Sequence, residues 1–130
     1  MGKIKFIPKD GKECNSCGEW KSHSEFGSHN NKGRETGSRK TCKSCEYEKR
    51  RNTEYQSKYG ITLEEYNNLF KEQNGCCACC GKHQVEQKRR FAVDHCHETL
   101  AIRGLLCDCC NTAIGKLGDT IEGVENALNY

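Results

Sequence analysis

At 130 residues the chain is one ordinary domain or two very small ones. Leu, Ile, Val and Phe number 20, about 15% of the residues, which excludes a large apolar core as the main offset to the conformational entropy of folding. The formal charge is +3 with every thiol counted neutral; each four-thiolate zinc site would contribute about −2, so two such sites bring the net charge to about −1 and remove it as a reason to expect a nucleic-acid partner.

Twelve cysteines offer another way to hold a thin core, because small domains short of apolar residues are stapled by metals or disulfides. The opening MGKIKFIPKDGK is interrupted by lysines, Pro8 and Asp10, and has no apolar stretch of signal-peptide or membrane-span length. The expectation is therefore a cytoplasmic protein with no membrane partner. In a reducing compartment, closely paired cysteines are metal ligands more often than disulfides.

Cys14 with Cys17 and Cys42 with Cys45 form two CxxC pairs separated by 24 residues, the spacing of a four-thiolate zinc site built from two knuckles. Trp20 and Phe26 are expected beneath that metal, with His23 and His29 on the surface. Residues 43–58 lack Gly and Pro and read as a helix loaded with Lys49, Arg50, Arg51 and Lys58. Tyr47, Tyr55 and Tyr59 interleave with these bases in a pattern that suits a nucleic-acid backbone as well as a solvated helix face. The basic surplus lies in this half: residues 1–71 hold 15 Lys and Arg against 10 Asp and Glu, while residues 72–130 hold 6 against 8.

Tyr59-Gly60 breaks the helix. Thr62 with Glu65 predicts a capping box, Ile61 with Tyr66 the matching hydrophobic staple, and Leu63, Tyr66, Leu69 and Phe70 one apolar face ending at Asn74-Gly75. A second cysteine group follows: Cys76, Cys77, Cys79 and Cys80, then, after 26 residues, Cys107, Cys109 and Cys110. Cys107 and Cys110 make a CxxC; upstream, either Cys76 with Cys79 or Cys77 with Cys80 fits. The second choice places Gly81 after the knuckle as Gly18 follows Cys17, with room for amides to approach the thiolates. Two zinc-centred modules of about 45 residues each would explain the thin core, since structural zinc binding is also folding energy.

Between the two halves of this group, Phe91 to His97 begins as a strand and puts Asp94, His95 and His97 within four residues. Asn111 follows directly on Cys110, where a helix should begin. A hard cation such as Mg2+ takes oxygen ligands and keeps several waters, and Asp94 and Asn111 suit it. Beside that ion a neutral imidazole can accept a proton from water near pH 7, a role that fits His95, with His97 to orient a phosphate or assist the leaving group. Arg103 and the helix N-terminus can offset charge on a phosphodiester transition state.

The run from KYGITLEEYNNLF through CACCG, VDHCHET, IRGLLCDCCN and the short tail resembles the recombination endonuclease VII family of phage HNH nucleases, over about residues 58–130. The resemblance implies a small zinc-stabilised α+β fold with a ββα-metal, treble-clef-like nuclease module over residues 76–130. Residues 1–50 would form a four-cysteine zinc finger, similar to extensions found on phage HNH proteins, and residues 51–75 a helical linker. It further implies Cys77, Cys80, Cys107 and Cys110 as zinc ligands, Asp94 and Asn111 as Mg2+ ligands with Mn2+ able to substitute, His95 as general base and His97 as second active-site histidine. Two departures from the family pattern stand out. Cys96 lies between the histidines where relatives carry Asp, and Ile114 stands near a position that is acidic in some members. Only 19 residues follow Asn111, with one short amphipathic helix (Ile121, Val124, Leu128) expected to cap the core rather than build a dimer.

The leading expectation is a metal-dependent endonuclease that nicks or cuts duplex or branched DNA, contacted by Lys49, Arg50, Arg51 and Arg103. It would act as a monomer or weak dimer, in the host cytoplasm if it is a phage protein. The alternatives are a zinc-dependent DNA-binding module without catalysis, and a thiol protein using Cys76, Cys79, Cys96 and Cys109.

Overall fold

The computed structural model describes residues 10–28 and 39–130. The chain forms two compact units, Met1–Glu54 and Tyr55–Tyr130.

In the first unit β1 (Gly11–Glu13) and β2 (Trp20–Ser22) pair antiparallel, Gly11 opposite Ser22 and Glu13 opposite Trp20. The turn between them is the first cysteine knuckle. It closes through the Gly18 amide, which donates to the Cys14 carbonyl at 2.8 Å with Gly18 at φ 69°, a conformation that disfavours any residue with a Cβ. One 3-10 turn (His23–Glu25) leads to Phe26, which bridges to Cys42, and α1 (Lys43–Tyr59) starts at the next residue. The buried centre is Cys14, Phe26 and Cys42, with Cys45 packed against it. Among the described residues Phe26 is the one large apolar side chain in that centre, which leaves much of the holding to the sulfurs. Trp20 stays about half exposed, so of the two expected aromatic residues Phe26 is the one buried with the sulfurs; His23 is at the surface, 3.2 Å from Asp10. His29 lies outside the described residues.

In the second unit the end of α1 contributes Tyr55 and Tyr59 to the core, and α2 (Leu63–Glu72) follows. The expected capping box is present: the Thr62 hydroxyl accepts from the Glu65 amide at 3.1 Å, and the Glu65 carboxylate accepts from the Thr62 amide at 2.6 Å. After Gln73 the chain turns through left-handed Asn74 and Gly75, and the Gly75 amide donates to Phe70 at 2.8 Å. Antiparallel β3 (Ala92–His95) and β4 (Ile102–Leu106) then lead into α3 (Asp108–Lys116), a ββα succession, and the chain ends in α4 (Ile121–Asn129). Val93 faces Leu105 across the hairpin, and both are buried with Tyr55, Tyr66, Phe91 and Leu106. Gln73 serves as a surrogate strand: its side chain donates to Leu105 O at 2.9 Å, beside the Ala78 amide at 3.0 Å, and accepts from Leu105 N at 2.8 Å, satisfying backbone on the outer edge of β4.

The structure is thus a small α+β fold carrying two four-cysteine clusters, with a ββα core in its second unit. The last helix departs from the expected cap. Its Ile121 and Leu128 are about four-fifths exposed, because α4 meets the end of α3 through Gly123 rather than through its apolar stripe. A Cβ at Gly123 would fall 1.7 Å from the Leu117 carbonyl oxygen. Among the described residues no helix is long and apolar enough to cross a membrane.

Candidate functional site

All twelve cysteines are free of disulfides. Eight converge in two sets, Cys14, Cys17, Cys42, Cys45 and Cys77, Cys80, Cys107, Cys110, with the ligand atoms of each set within 4.8 Å of one another. Tetrahedral zinc with bonds of about 2.3 Å places its sulfurs about 3.8 Å apart. Cys80 and Cys107 sulfurs are 3.8 Å apart and those of Cys14 and Cys45 are 4.0 Å apart, so both sets suit structural zinc.

Donors aimed at the sulfurs favour the thiolate form. The Cys42 amide reaches Cys14 Sγ at 3.3 Å, the Cys107 amide reaches Cys77 Sγ at 3.3 Å, and Lys21 Nζ lies 3.4 Å from Cys42 Sγ. The Ser44 hydroxyl, followed by the Cys45 backbone amide, holds the Cys42 thiol down to about 6. Burial works against ionisation of Cys77, yet the amides of Cys107, Cys80 and Cys79 outweigh it and bring that thiol to about 6 as well. Cys79 and Cys109 are exposed, and the Cys76 thiol donates to the Asn74 carbonyl at 3.5 Å; none of the three joins a cluster. Gly81 takes φ 73° as Gly18 takes 69°, and a Cβ there would touch nothing within 4 Å. The glycine after each knuckle is required by backbone conformation rather than by crowding at the sulfurs.

The strand following the second knuckle carries the polar site. β3 and β4 fall out of register between Asp94 and His95: Asp94 pairs with Gly104 but His95 pairs with Ile102, leaving Arg103 as an extra residue in β4. Such a bulge re-aims a side chain. Arg103 turns onto Asp94 in a two-point fork, Nε to Oδ2 and Nη2 to Oδ1, each 2.8 Å. The same Nη2 donates to Asp119, a non-glycine residue at φ 55° in the turn between α3 and α4. Asp119 also faces His97, whose Nε2 is 3.9 Å from Oδ2. The His97 and His95 rings are 4.8 Å apart, Tyr59 meets His95 edge-on at 5.3 Å, and His95 Nδ1 lies 3.5 Å from the Val93 carbonyl. The Arg103 guanidinium holds the Asp119 carboxyl below the usual carboxylate range, and Asp94 and Asp119 in turn raise the affinity of Arg103 for its proton.

Asp94, Arg103 and Asp119 form the polar end of a cleft of about 360 Å³ whose apolar wall is Ile114, Ile121 and Val124. Asn111 is half-buried on α3, one turn before Ile114 and on the same face, in the helix that packs against β3 and β4. Among the described residues it lies outside the chain of contacts that links Asp94 to Tyr59. Asp119 is the member that sequence reading did not single out. Of the basic residues on α1, Lys49 and Arg50 are exposed, while Arg51 bonds Glu54 at 3.1 Å and lies over Tyr47. Tyr55 and Tyr59 are taken up by the core, so of the three tyrosines on this helix only Tyr47 stands exposed beside the bases.

The sequence model described as recombination endonuclease VII matches residues 52–130. The chain belongs to the recombination endonuclease VII family. Membership places it in a family of nucleases. The endonuclease VII match spans α2, the second cysteine cluster, the ββα core and α4, and leaves the first cluster outside. The Gene 59 protein of Mycobacterium phage D29 is 44% identical over 73 residues, and that of Mycobacterium phage L5 is 41% identical over the same length. Each alignment covers 55% of this chain and 44% of the relative, so the chain spans less than half the length of these curated relatives. Among solved structures, the β-β-α-Me type II restriction endonuclease Hpy99I aligns with a TM-score of 0.39 at 27% identity, over 93% of this chain and 64% of that one.

Proposed function

We propose that this endonuclease VII family member is a metal-dependent DNA endonuclease of the HNH kind. It hydrolyses phosphodiester bonds at the Asp94–Arg103 end of the cleft, with duplex or branched DNA as substrate. The observation that carries this reading is the bulged hairpin, which sets Arg103 on Asp94 at one end of a cleft, with His97 approaching Asp119 and His95 beside His97, in a chain of nuclease ancestry.

The donors of this reading suit a hard cation: the Asp94 carboxylate and the Asn111 amide would each bind through oxygen, and Asp94 already holds a cationic group, the Arg103 guanidinium. Asp94 and Asn111 would hold Mg2+, or Mn2+ in its place. When bound, such an ion polarises the phosphate and stabilises charge on the leaving oxygen. His95 is the general base. The Val93 carbonyl favours a proton on Nδ1, which leaves Nε2 to accept one from the attacking water. His97 orients the phosphate and assists the leaving group. Arg103 and the N-terminal amides of α3 offset charge on the transition state.

Residues 76–130 are the nuclease module in this reading, 51–75 the helical linker, and 1–50 a zinc finger that adds DNA affinity, with Lys49 and Arg50 at its end and Arg51 at the start of the linker contacting DNA. The mycobacteriophage relatives support action in the host cytoplasm, and the protein would work as a monomer or weak dimer. The test is His95→Ala. Cleavage of plasmid DNA should fall by about a hundred- to ten-thousand-fold, the share general-base catalysis supplies, with zinc content and DNA affinity unchanged. Cleavage at the parental rate would remove His95 as the base.

A further inference from the structure

Among the described residues Arg103 is the one cation set directly on the proposed metal-binding carboxylate, and it is shared between two carboxylates rather than given to one. Its Nε and Nη2 each lie 2.8 Å from an Asp94 oxygen, and Nη2 also donates to Asp119. The side chains of Asp94 and Asp119 are 14% and 21% exposed, sheltered enough for each to compete for the guanidinium. A guanidinium cannot shed its charge by losing a proton, so it leaves a carboxylate only by moving.

We propose that Arg103 is the resident counter-ion that a divalent cation must displace from Asp94, and that Asp119 is the positioning residue that keeps Arg103 in the site through that exchange. The proposal rests on the reading of Asp94 as a cation ligand. With Asp119 present, Arg103 yields Asp94 and stays anchored within reach of a phosphate. Without it, the whole guanidinium charge falls on Asp94 and opposes the incoming ion, and an Arg103 that does let go swings into solvent. Asp119 therefore raises cation affinity at Asp94 through Arg103 and not by touching the ion.

The test is Mn2+ binding to the zinc-loaded full chain without DNA, read from the electron-spin resonance of free Mn2+. Wild type, Asp94→Ala, Arg103→Gln, Arg103→Lys, Asp119→Asn and the Arg103→Gln/Asp119→Asn double variant are compared, each shown to keep two zinc ions. Arg103→Gln should tighten binding about fivefold, the upper end of what a partly exposed ion pair exchanges, and Arg103→Lys, which keeps charge but loses the fork, should fall between it and wild type. Asp119→Asn should weaken binding, and its effect should vanish in the Arg103→Gln background. If Asp94→Ala abolishes binding but Arg103→Gln fails to tighten it, or Asp119→Asn weakens binding equally in both backgrounds, the exchange is wrong while the metal reading stands. If Asp94→Ala leaves Mn2+ binding intact, the metal reading falls and the exchange with it.

Discussion

Tyr66 joins the helical and sheet parts of the second unit with a single side chain. Its ring stacks on Tyr55 at 4.8 Å, the Arg90 guanidinium covers it at 4.9 Å, and its hydroxyl donates to the Phe91 carbonyl at 2.9 Å just before β3 begins. Tyr66→Phe keeps the ring and leaves that buried carbonyl without its partner. The expected loss is about 1 kcal/mol in urea or thermal unfolding, with zinc content unchanged. Burial, then Tyr55, pushes the phenol up to about 12. A raised acid stabilises fully below its unfolded value and loses that contribution as pH climbs through the folded one. Wild type should therefore lose stability relative to Tyr66→Phe between about pH 10 and about pH 12. Tyr66 was legible in the sequence as part of an apolar helix face, because helical periodicity reports which side chains point inward. Asp119 was not. Its place in the site depends on a left-handed turn after α3 and on Arg103 reaching it from β4, and neither leaves a local pattern.

Among the elements, α2 and the β3–β4 hairpin show two ways in which sequence encodes position. The start of α2 is written in four adjacent residues, and both reciprocal bonds between Thr62 and Glu65 form. Thr62→Ala should cost about 1 kcal/mol, measured by chemical unfolding of the zinc-loaded protein, through loss of one cap on the first turn. The bulge at Arg103 has no such signature. The pattern IRGLL reads as a regular strand, and the extra residue exists only because Asp94 pairs with Gly104 while His95 pairs with Ile102. That one-residue offset brings Arg103 onto Asp94, so sequence could nominate both residues without revealing that they touch. The reading of α4 failed for a related reason: its apolar stripe predicts burial, yet Gly123 brings the helix backbone against the Leu117 carbonyl and leaves the stripe to wall a cleft.

Over the whole molecule, each compact unit holds its own four-cysteine set, and among the described residues the apolar core of the first is little more than Phe26. Metal-centred folding of this kind makes zinc loss equivalent to unfolding. Cys14→Ser should lower zinc content from two ions to one and unfold the first unit alone, and Cys107→Ser should do the same to the second. Amide exchange followed along the chain would resolve the two outcomes, and a cooperative native melt with full protection in either variant would contradict the zinc assignment. The cysteine spacing made the first set visible in advance, because ligand pairs with two residues between them on a tight turn need no tertiary information to be recognised; for the second set it left Cys76 with Cys79 and Cys77 with Cys80 both open, and the fold gathers the latter pair.

The central claim is that Asp94 anchors a divalent-metal phosphodiesterase built on these zinc-held elements. Supercoiled plasmid incubated with zinc-loaded protein, with and without added Mg2+, alongside Asp94→Ala purified in parallel, tests it most directly. Conversion to open-circle or linear DNA should require both Mg2+ and Asp94. Conversion without added Mg2+, or at the parental rate by Asp94→Ala, would contradict the assignment; so would intact plasmid after incubation with wild-type protein that carries two zinc ions and binds DNA.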